Sequence, residues 1–168
     1  VVDQRVRPGD DQAMAEAIRQ AQEAQAHEDV PVGAVVLDSH GEVVATGENR
    51  REVDQDPTAH AEIVALRRAS EVTGNWHLDG CTLVVTLEPC MMCAGAIVLA
   101  RVDRVVYGAS DPKAGVVSSV ASLLDASFLN HAVAVTGGVR AEACGRLLTD
   151  FFAARRSGRA AGRRRPPD

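Results

Sequence analysis

Cys81-Thr82-Leu83-Val84-Val85-Thr86-Leu87-Glu88-Pro89-Cys90-Met91-Met92-Cys93 changes character once, at Pro89. Cys81 to Leu87 is an apolar, β-branched run of the length of a buried strand. Pro89 ends it, and the segment from about Met91 to Ala100 predicts a helix. Residues three apart in a first helical turn share one face, so the sulfurs of Cys90 and Cys93 can meet at one point. About thirty residues upstream, Asp56-Pro57-Thr58 stops an extended stretch, and Thr58-Ala59-His60-Ala61-Glu62 opens a helix running to about Thr73.

Working outward, apolar and small positions from about Asp11 to His27 recur at helical spacing, with Asp10 or Asp11 as the candidate N-cap. Val32 to Leu37 reads as a strand and Asp38-Ser39-His40-Gly41 as a hairpin turn into Val43 to Gly47. Downstream, Val105 to Gly108 predicts a fourth strand and Ser119 to Leu124 a short helix. Val133 to Thr136 predicts a fifth strand and Ala141 to Arg156 a last helix. Strands alternating with helices predict an α/β fold with helices packed on a mixed five-stranded sheet, its parallel part preceded by an antiparallel hairpin. One domain is expected over residues 1–156, with an arginine-rich tail over 157–168.

His60, Cys90 and Cys93 offer one imidazole nitrogen and two sulfurs, the donors a zinc ion prefers. Three protein ligands leave the fourth tetrahedral position open, the mark of a catalytic site in which water becomes a nucleophile. Glu62 lies two residues beyond His60 and is placed to move that water's proton. Both half-motifs open helices, where the macrodipole favours thiolate. A redox Cys-x-x-Cys needs no His-x-Glu upstream, and a structural zinc site needs a fourth protein ligand at matching spacing. Cys81 and Cys144 stand alone among apolar or small residues and read as buried thiols. His27, His40, His77 and His131 have no partner at ligand spacing, and Met91 and Met92 read as packing material.

The composition, 46% hydrophobic and 24% charged over 168 residues, is that of a globular enzyme domain rather than a disordered chain. No run approaches the roughly 18 apolar residues of a membrane span, and Val-Val-Asp-Gln-Arg-Val-Arg at the start does not resemble a secretory signal. Four cysteines, two of them proposed as metal thiolates, form no disulfide framework, so a reducing, cytoplasmic setting is expected. The net charge of −5 is unevenly spread: residues 155–168 hold Arg155, Arg156, Arg159, Arg163, Arg164 and Arg165 against Asp168 alone, leaving −10 elsewhere. A basic end on an acidic body suits a polyanion held at one edge.

His-x-Glu followed by Pro-Cys-x-x-Cys is the signature of the zinc-dependent nucleobase deaminases. The wider set of matches is more specific. Pro31 to Val35, Asn49-Arg50, Asp56 to Glu62, Thr86 to Ala96, Arg104 to Ala109, Asn130-His131 and Asp150-Phe151-Phe152 closely resemble the bacterial tRNA-specific adenosine deaminases, over roughly residues 10 to 156. The resemblance implies a cytidine-deaminase-like three-layer sandwich and one Zn²⁺ per subunit on His60, Cys90 and Cys93. It implies hydrolytic conversion of the wobble adenosine of a tRNA anticodon, chiefly of one arginine tRNA, to inosine. Glu62 would shuttle protons, Asn49 and Ala61 would meet the flipped nucleoside, and Asp111 would lie near the substrate backbone. Phe151, Arg155 and Arg156 would belong to a C-terminal helix on the anticodon stem-loop of a homodimeric enzyme. The chain departs from that pattern at Ala114-Gly115-Val116-Val117-Ser118-Ser119, which is unusually apolar, and at Arg51 to Gln55, which is unusually polar.

Two rivals are weighed against this expectation. A free-base or nucleoside deaminase needs the same zinc chemistry but no basic end. An inactive zinc-stabilised RNA-binding subunit would dispense with the glutamate, and Glu62 is present.

Overall fold

A computed structural model of the protein describes residues 5–162, with side chains described through Ser157. In chain order it contains α1 (Asp10–Ala26), β1 (Gly33–Leu37), β2 (Val43–Glu48), α2 (Ala61–Thr73), β3 (Thr82–Leu87) and α3 (Met91–Leu99). β4 (Arg104–Ala109), a 3₁₀ turn (Leu123–Asp125), β5 (Ala134–Thr136) and α4 (Ala141–Gly162) complete it. The sheet order is β2-β1-β3-β4-β5. β1 pairs antiparallel with both β2 and β3, whereas β3, β4 and β5 run parallel. The expected antiparallel hairpin and parallel section are both present.

Alternate strand residues feed two cores. Val36, Leu83, Val85, Val105 and Val135 pack with α2 and α3 on one face; Val35, Leu37, Val84 and Val106 pack with α1 and α4 on the other. Leu83, Val84, Val105 and Val106 are completely buried, and each such side chain stabilises the fold by about 1.5–3 kcal/mol. A sheet between two layers of helices is the three-layer arrangement expected from the sequence.

Two glycines fix the helices against the sheet. A Cβ on Gly33 would overlap the backbone of Ala17 and Ala21 in α1, and one on Gly47 would overlap that of Ala61 and Ala65 in α2. The alanine-lined faces of both helices therefore lie against bare strand backbone, which sets where α2 begins. The hairpin turn is closed by Asp38, whose Oδ1 accepts the N–H groups of His40 (2.8 Å) and Glu42 (3.0 Å), with Gly41 at φ 85°.

Several boundaries differ from expectation for local reasons. The N-cap of α1 is Gly9, not an aspartate. Asp10 is buried and occupied elsewhere: its oxygens accept Arg104 Nη1 and Nη2, both at 2.7 Å, and the Arg7 N–H at 2.7 Å. α2 starts at Ala61 because Asp56 Oδ1 binds the Thr58 N–H and hydroxyl, both at 2.7 Å, in a turn that delays the helix. The short helix expected at Ser119 to Leu124 is only the 3₁₀ turn at Leu123–Asp125. α4 continues past Arg156 to Gly162, while the side chains of Arg159, Arg163, Arg164, Arg165 and Asp168 lie outside the described residues. Among the described residues, no helix is long and apolar enough to cross a membrane.

Candidate active site

His60 is the N-cap of α2 and Cys90 the N-cap of α3, both extended in backbone and neither capping its helix through its side chain. N-cap positions usually hold Ser, Thr, Asp or Asn, which bond the helix's free N–H groups. Here both side chains turn toward each other instead. Cys90 Sγ lies 3.6 Å and Cys93 Sγ 3.4 Å from His60 Nδ1, and the sulfurs are 3.7 Å apart. Zinc bonds of about 2.3 Å to sulfur and about 2.0–2.1 Å to nitrogen span tetrahedral edges of about 3.8 and about 3.6 Å, close to these separations. Among the described residues these three are the one cluster placed to hold a metal.

The charges on these groups also call for a cation. Hydrogen bonding with Cys93, helped by His60, draws the Cys90 thiol down to about 3. The Cys90 sulfur and burial push the Cys93 thiol up, and the same Cys90 sulfur raises His60. Protons are thus shared among three crowded donors, a competition that a dication ends by favouring thiolate on both sulfurs. The second residue of α2, Glu62, is 4% exposed, and burial pushes its carboxyl above the usual carboxylate range. A carboxyl raised toward neutrality can both take and give a proton at working pH.

These groups open onto a cavity of about 180 Å³. His60, Ala61, Glu62 and Cys90 form one part of its lining and Asn49 with Arg51 another; Val30, Val32 and Leu87 supply apolar surface, and Glu88, Asp111 and Ala114 complete it. Asn49 Nδ2 donates to the Val30 carbonyl at 3.1 Å, but its buried Oδ1 has no partner among the described residues. A buried acceptor left open at a cavity wall is one that a ligand can satisfy.

Of the residues proposed from sequence, His60, Ala61, Glu62, Cys90, Asn49 and Asp111 line this cavity, and Cys93 completes the metal triad. Phe151, Arg155 and Arg156 lie on α4 outside its lining. Phe151 is buried, with the Arg155 guanidinium 4.9 Å from its ring centroid, and Arg155 Nη2 donates to the Glu28 carbonyl at 3.0 Å. Arg156 is exposed. Cys81 and Cys144 are buried as expected, and burial raises both thiols, Cys144 to about 11.

Met91 is a correction. It is 70% exposed rather than packed, because it stands on the outer side of α3's first turn. Met92 lines a second, apolar groove of about 560 Å³ between α2 and α3, together with Ile63, Leu66, Trp76, Ala96 and Leu99.

Sequence reading assigned no role to Glu88 or Asp29. Asp29 is fully buried; its Oδ1 accepts the Glu52 N–H at 2.8 Å and its Oδ2 the Val53 N–H at 3.1 Å, holding the polar 51–55 segment beside the cavity. The only signal in the sequence was an acid beside an apolar strand, which cannot be buried without donors.

Residues 8–109 match the family described as the cytidine and deoxycytidylate deaminase zinc-binding region. The tRNA-specific adenosine deaminase of Bacillus subtilis is 44% identical over 155 residues, covering 92% of this chain and 96% of its own length. A tRNA(Ile)-lysidine synthase of Deinococcus deserti is 54% identical over 142 residues, 84% of this chain; the match spans only 26% of that longer protein. A solved tRNA:A34 deaminase, studied for A-to-I editing at the wobble position of transfer RNA, superposes with a TM-score of 0.78 at 41% identity. That match covers 82% of this chain and 99% of the other.

Proposed function

From the chain's membership of the cytidine and deoxycytidylate deaminase zinc-binding family, and within it of the tRNA-specific adenosine deaminases, we propose that it converts adenosine to inosine at the wobble position of a tRNA anticodon. In bacteria the substrate is chiefly an arginine tRNA, and the setting is cytoplasmic. The observation that carries the reading is the shared cavity: the metal triad and Glu62 face the same small space as the open acceptor of Asn49. A base in a loop can be unstacked at modest cost and fit such a space, whereas a duplex cannot.

His60, Cys90 and Cys93 would hold the zinc ion, which when bound would supply Lewis acidity and an activated water. Glu62 takes one proton from the attacking water and delivers it to ring N1, making C6 electrophilic as the oxygen adds there. It then moves the remaining hydroxyl proton to the exocyclic amine. The C6–N bond breaks and ammonia leaves, so adenosine and water give inosine and ammonia. Burial raises the Glu62 carboxyl above the usual carboxylate range, which suits it to both transfers. Asn49 meets the flipped nucleoside with Oδ1 while Val30 holds its amide in place. Ala61 leaves room beside the base, and Asp111 lies near the substrate backbone. Arg155 and Arg156 contact the anticodon stem-loop from α4, with Phe151 buried beneath the Arg155 guanidinium as its support rather than as a stacking surface.

The functional unit in this reading is a homodimer. Trp76, Leu99, Met91 and Val72 are 65%, 73%, 70% and 68% exposed on the α2/α3 side, an apolar surface that a second copy would cover. Replacing Leu99 with Glu should shift the protein to monomer in sedimentation experiments.

The deciding experiment compares ammonia release and inosine formation from an anticodon stem-loop carrying wobble adenosine with release from free adenosine, guanine and cytosine. Editing of the stem-loop alone is the expected result. Turnover of a free base with an inert stem-loop would keep the zinc chemistry and discard the RNA substrate.

A further inference from the structure

Glu88 directly follows β3 and is 2% exposed, so its carboxylate is held where an unsatisfied charge could not stay. All of its hydrogen-bond donors come from one segment. Oε1 accepts the N–H groups of Val117 (3.2 Å), Ser118 (2.8 Å) and Ser119 (2.9 Å). Oε2 accepts the Asp111 N–H (3.0 Å) and the Ser119 hydroxyl. Gly115 lies on the same carboxylate, where a Cβ would overlap Glu88 Cδ. The Val116 N–H adds a bond to the Pro89 carbonyl at 3.1 Å, and Val116 and Val117 turn into the core.

Residues 111–119 form no helix or strand, and so have no backbone ladder to order them. Four of their N–H groups, those of Asp111, Val117, Ser118 and Ser119, are collected by a single carboxylate two residues before the ligand Cys90. The same loop presents Asp111 and Ala114 to the cavity; Asp111 Oδ1 accepts the N–H groups of Lys113 (2.9 Å) and Ala114 (3.2 Å). Charge-assisted bonds of this kind are stronger than neutral ones and fix direction as well as distance. We propose that Glu88 is a positioning residue for the deamination: it holds the 111–119 loop as one wall of the cavity, in register with the metal triad. Because Glu88 directly follows a central strand and the loop has no backbone ladder of its own, the loop's place beside the cavity is set by this carboxylate.

The kinetic part of the test rests on the tRNA deaminase reading; the exchange part does not. Zinc-loaded wild type, Glu88→Gln and Ser119→Ala would be compared for metal content, amide hydrogen exchange and steady-state kinetics on the stem-loop. Glutamine turns an N–H₂ group toward donors and so opposes at least one of them. In Glu88→Gln the 111–119 amides should lose protection while α3 keeps its own and zinc stays bound. KM should rise about tenfold with kcat changed less than about threefold, the pattern of lost binding rather than lost folded enzyme. Ser119→Ala should move the same quantities the same way by less. If Glu88→Gln does not fold, Ser119→Ala and Gly115→Ala decide the matter by the same two readouts.

Unchanged loop protection and KM would overturn the proposal. So would a fall in kcat that tracks the folded fraction at constant KM. Wild type that leaves the stem-loop unedited would overturn the functional reading instead, and loop protection would still decide the role of Glu88.

Discussion

The floor of the cavity and its rim are built differently. The floor, His60, Glu62, Cys90 and Cys93, comes from the first turns of two helices seated on the sheet through Gly47 and the apolar core. The rim comes from two irregular segments, 51–55 and 111–119, each tied down by one buried carboxylate, Asp29 or Glu88. Groups that must keep their geometry to a fraction of an ångström sit on regular elements, and groups that select what enters sit on loops. The floor can thus stay constant while the rim is rewritten.

Losing a floor ligand should have the largest effect. Cys93→Ala should abolish zinc binding and activity together, measured by metal analysis and ammonia release, because two remaining donors do not hold the ion in place. Next, Glu62→Ala should lower turnover on the order of a thousandfold or more while zinc stays bound. Retained activity with zinc in place would mean that the floor is a scaffold rather than the chemistry.

A control lies away from both regions. Asp10→Asn leaves the Arg104 guanidinium, 4% exposed, without its charge partner and should cost about 3–5 kcal/mol in denaturant unfolding at neutral pH. Burial opposes ionisation of Asp10, but the Arg104 and Arg7 bonds outweigh it and hold the carboxyl below the usual range. A lowered folded-state pKa means that the pair's stabilisation is complete above the unfolded value near about 3.9 and is lost as pH falls through the lower folded value. The wild type's acid unfolding should therefore show a loss below pH about 4 that Asp10→Asn lacks. Smallest of the four, Asp29→Ala should cost about 1–3 kcal/mol and raise KM for the stem-loop with little change in kcat. If instead it lowers kcat at constant KM, floor and rim are not separable.

Sequence reveals the floor more readily than the rim. His60, Glu62, Cys90 and Cys93 were legible because their spacing is local: three residues in one helical turn, two across a helix start. The strands were legible as β-branched runs, and so were the antiparallel hairpin and the parallel section; the order β2-β1-β3-β4-β5 is visible only in the structure. Glu88 was not, because its partners lie 23 to 31 residues away and are backbone N–H groups that any residue type carries. The apolar Ala114 to Ser119 stretch was visible but unexplained until Val116 and Val117 proved to be core residues. The same use of Ser119 accounts for the missing short helix: its N–H and hydroxyl serve Glu88. Phe151 fell between these cases, since an aromatic on the last helix fits a core as well as a stacking surface, and it is buried.

His60 and Cys90 are separated by thirty residues of chain and come together at the head of two helices on one side of the sheet. An ion between them closes that segment into a ring, as a disulfide would, with α2 and β3 inside it. A ring of that size removes about 3–4 kcal/mol of freedom from the unfolded chain by the estimate used for covalent cross-links. The strand at the centre of the sheet is then part of a closed loop that only loss of the ion opens, so the reagent of the reaction is also the clasp of the fold.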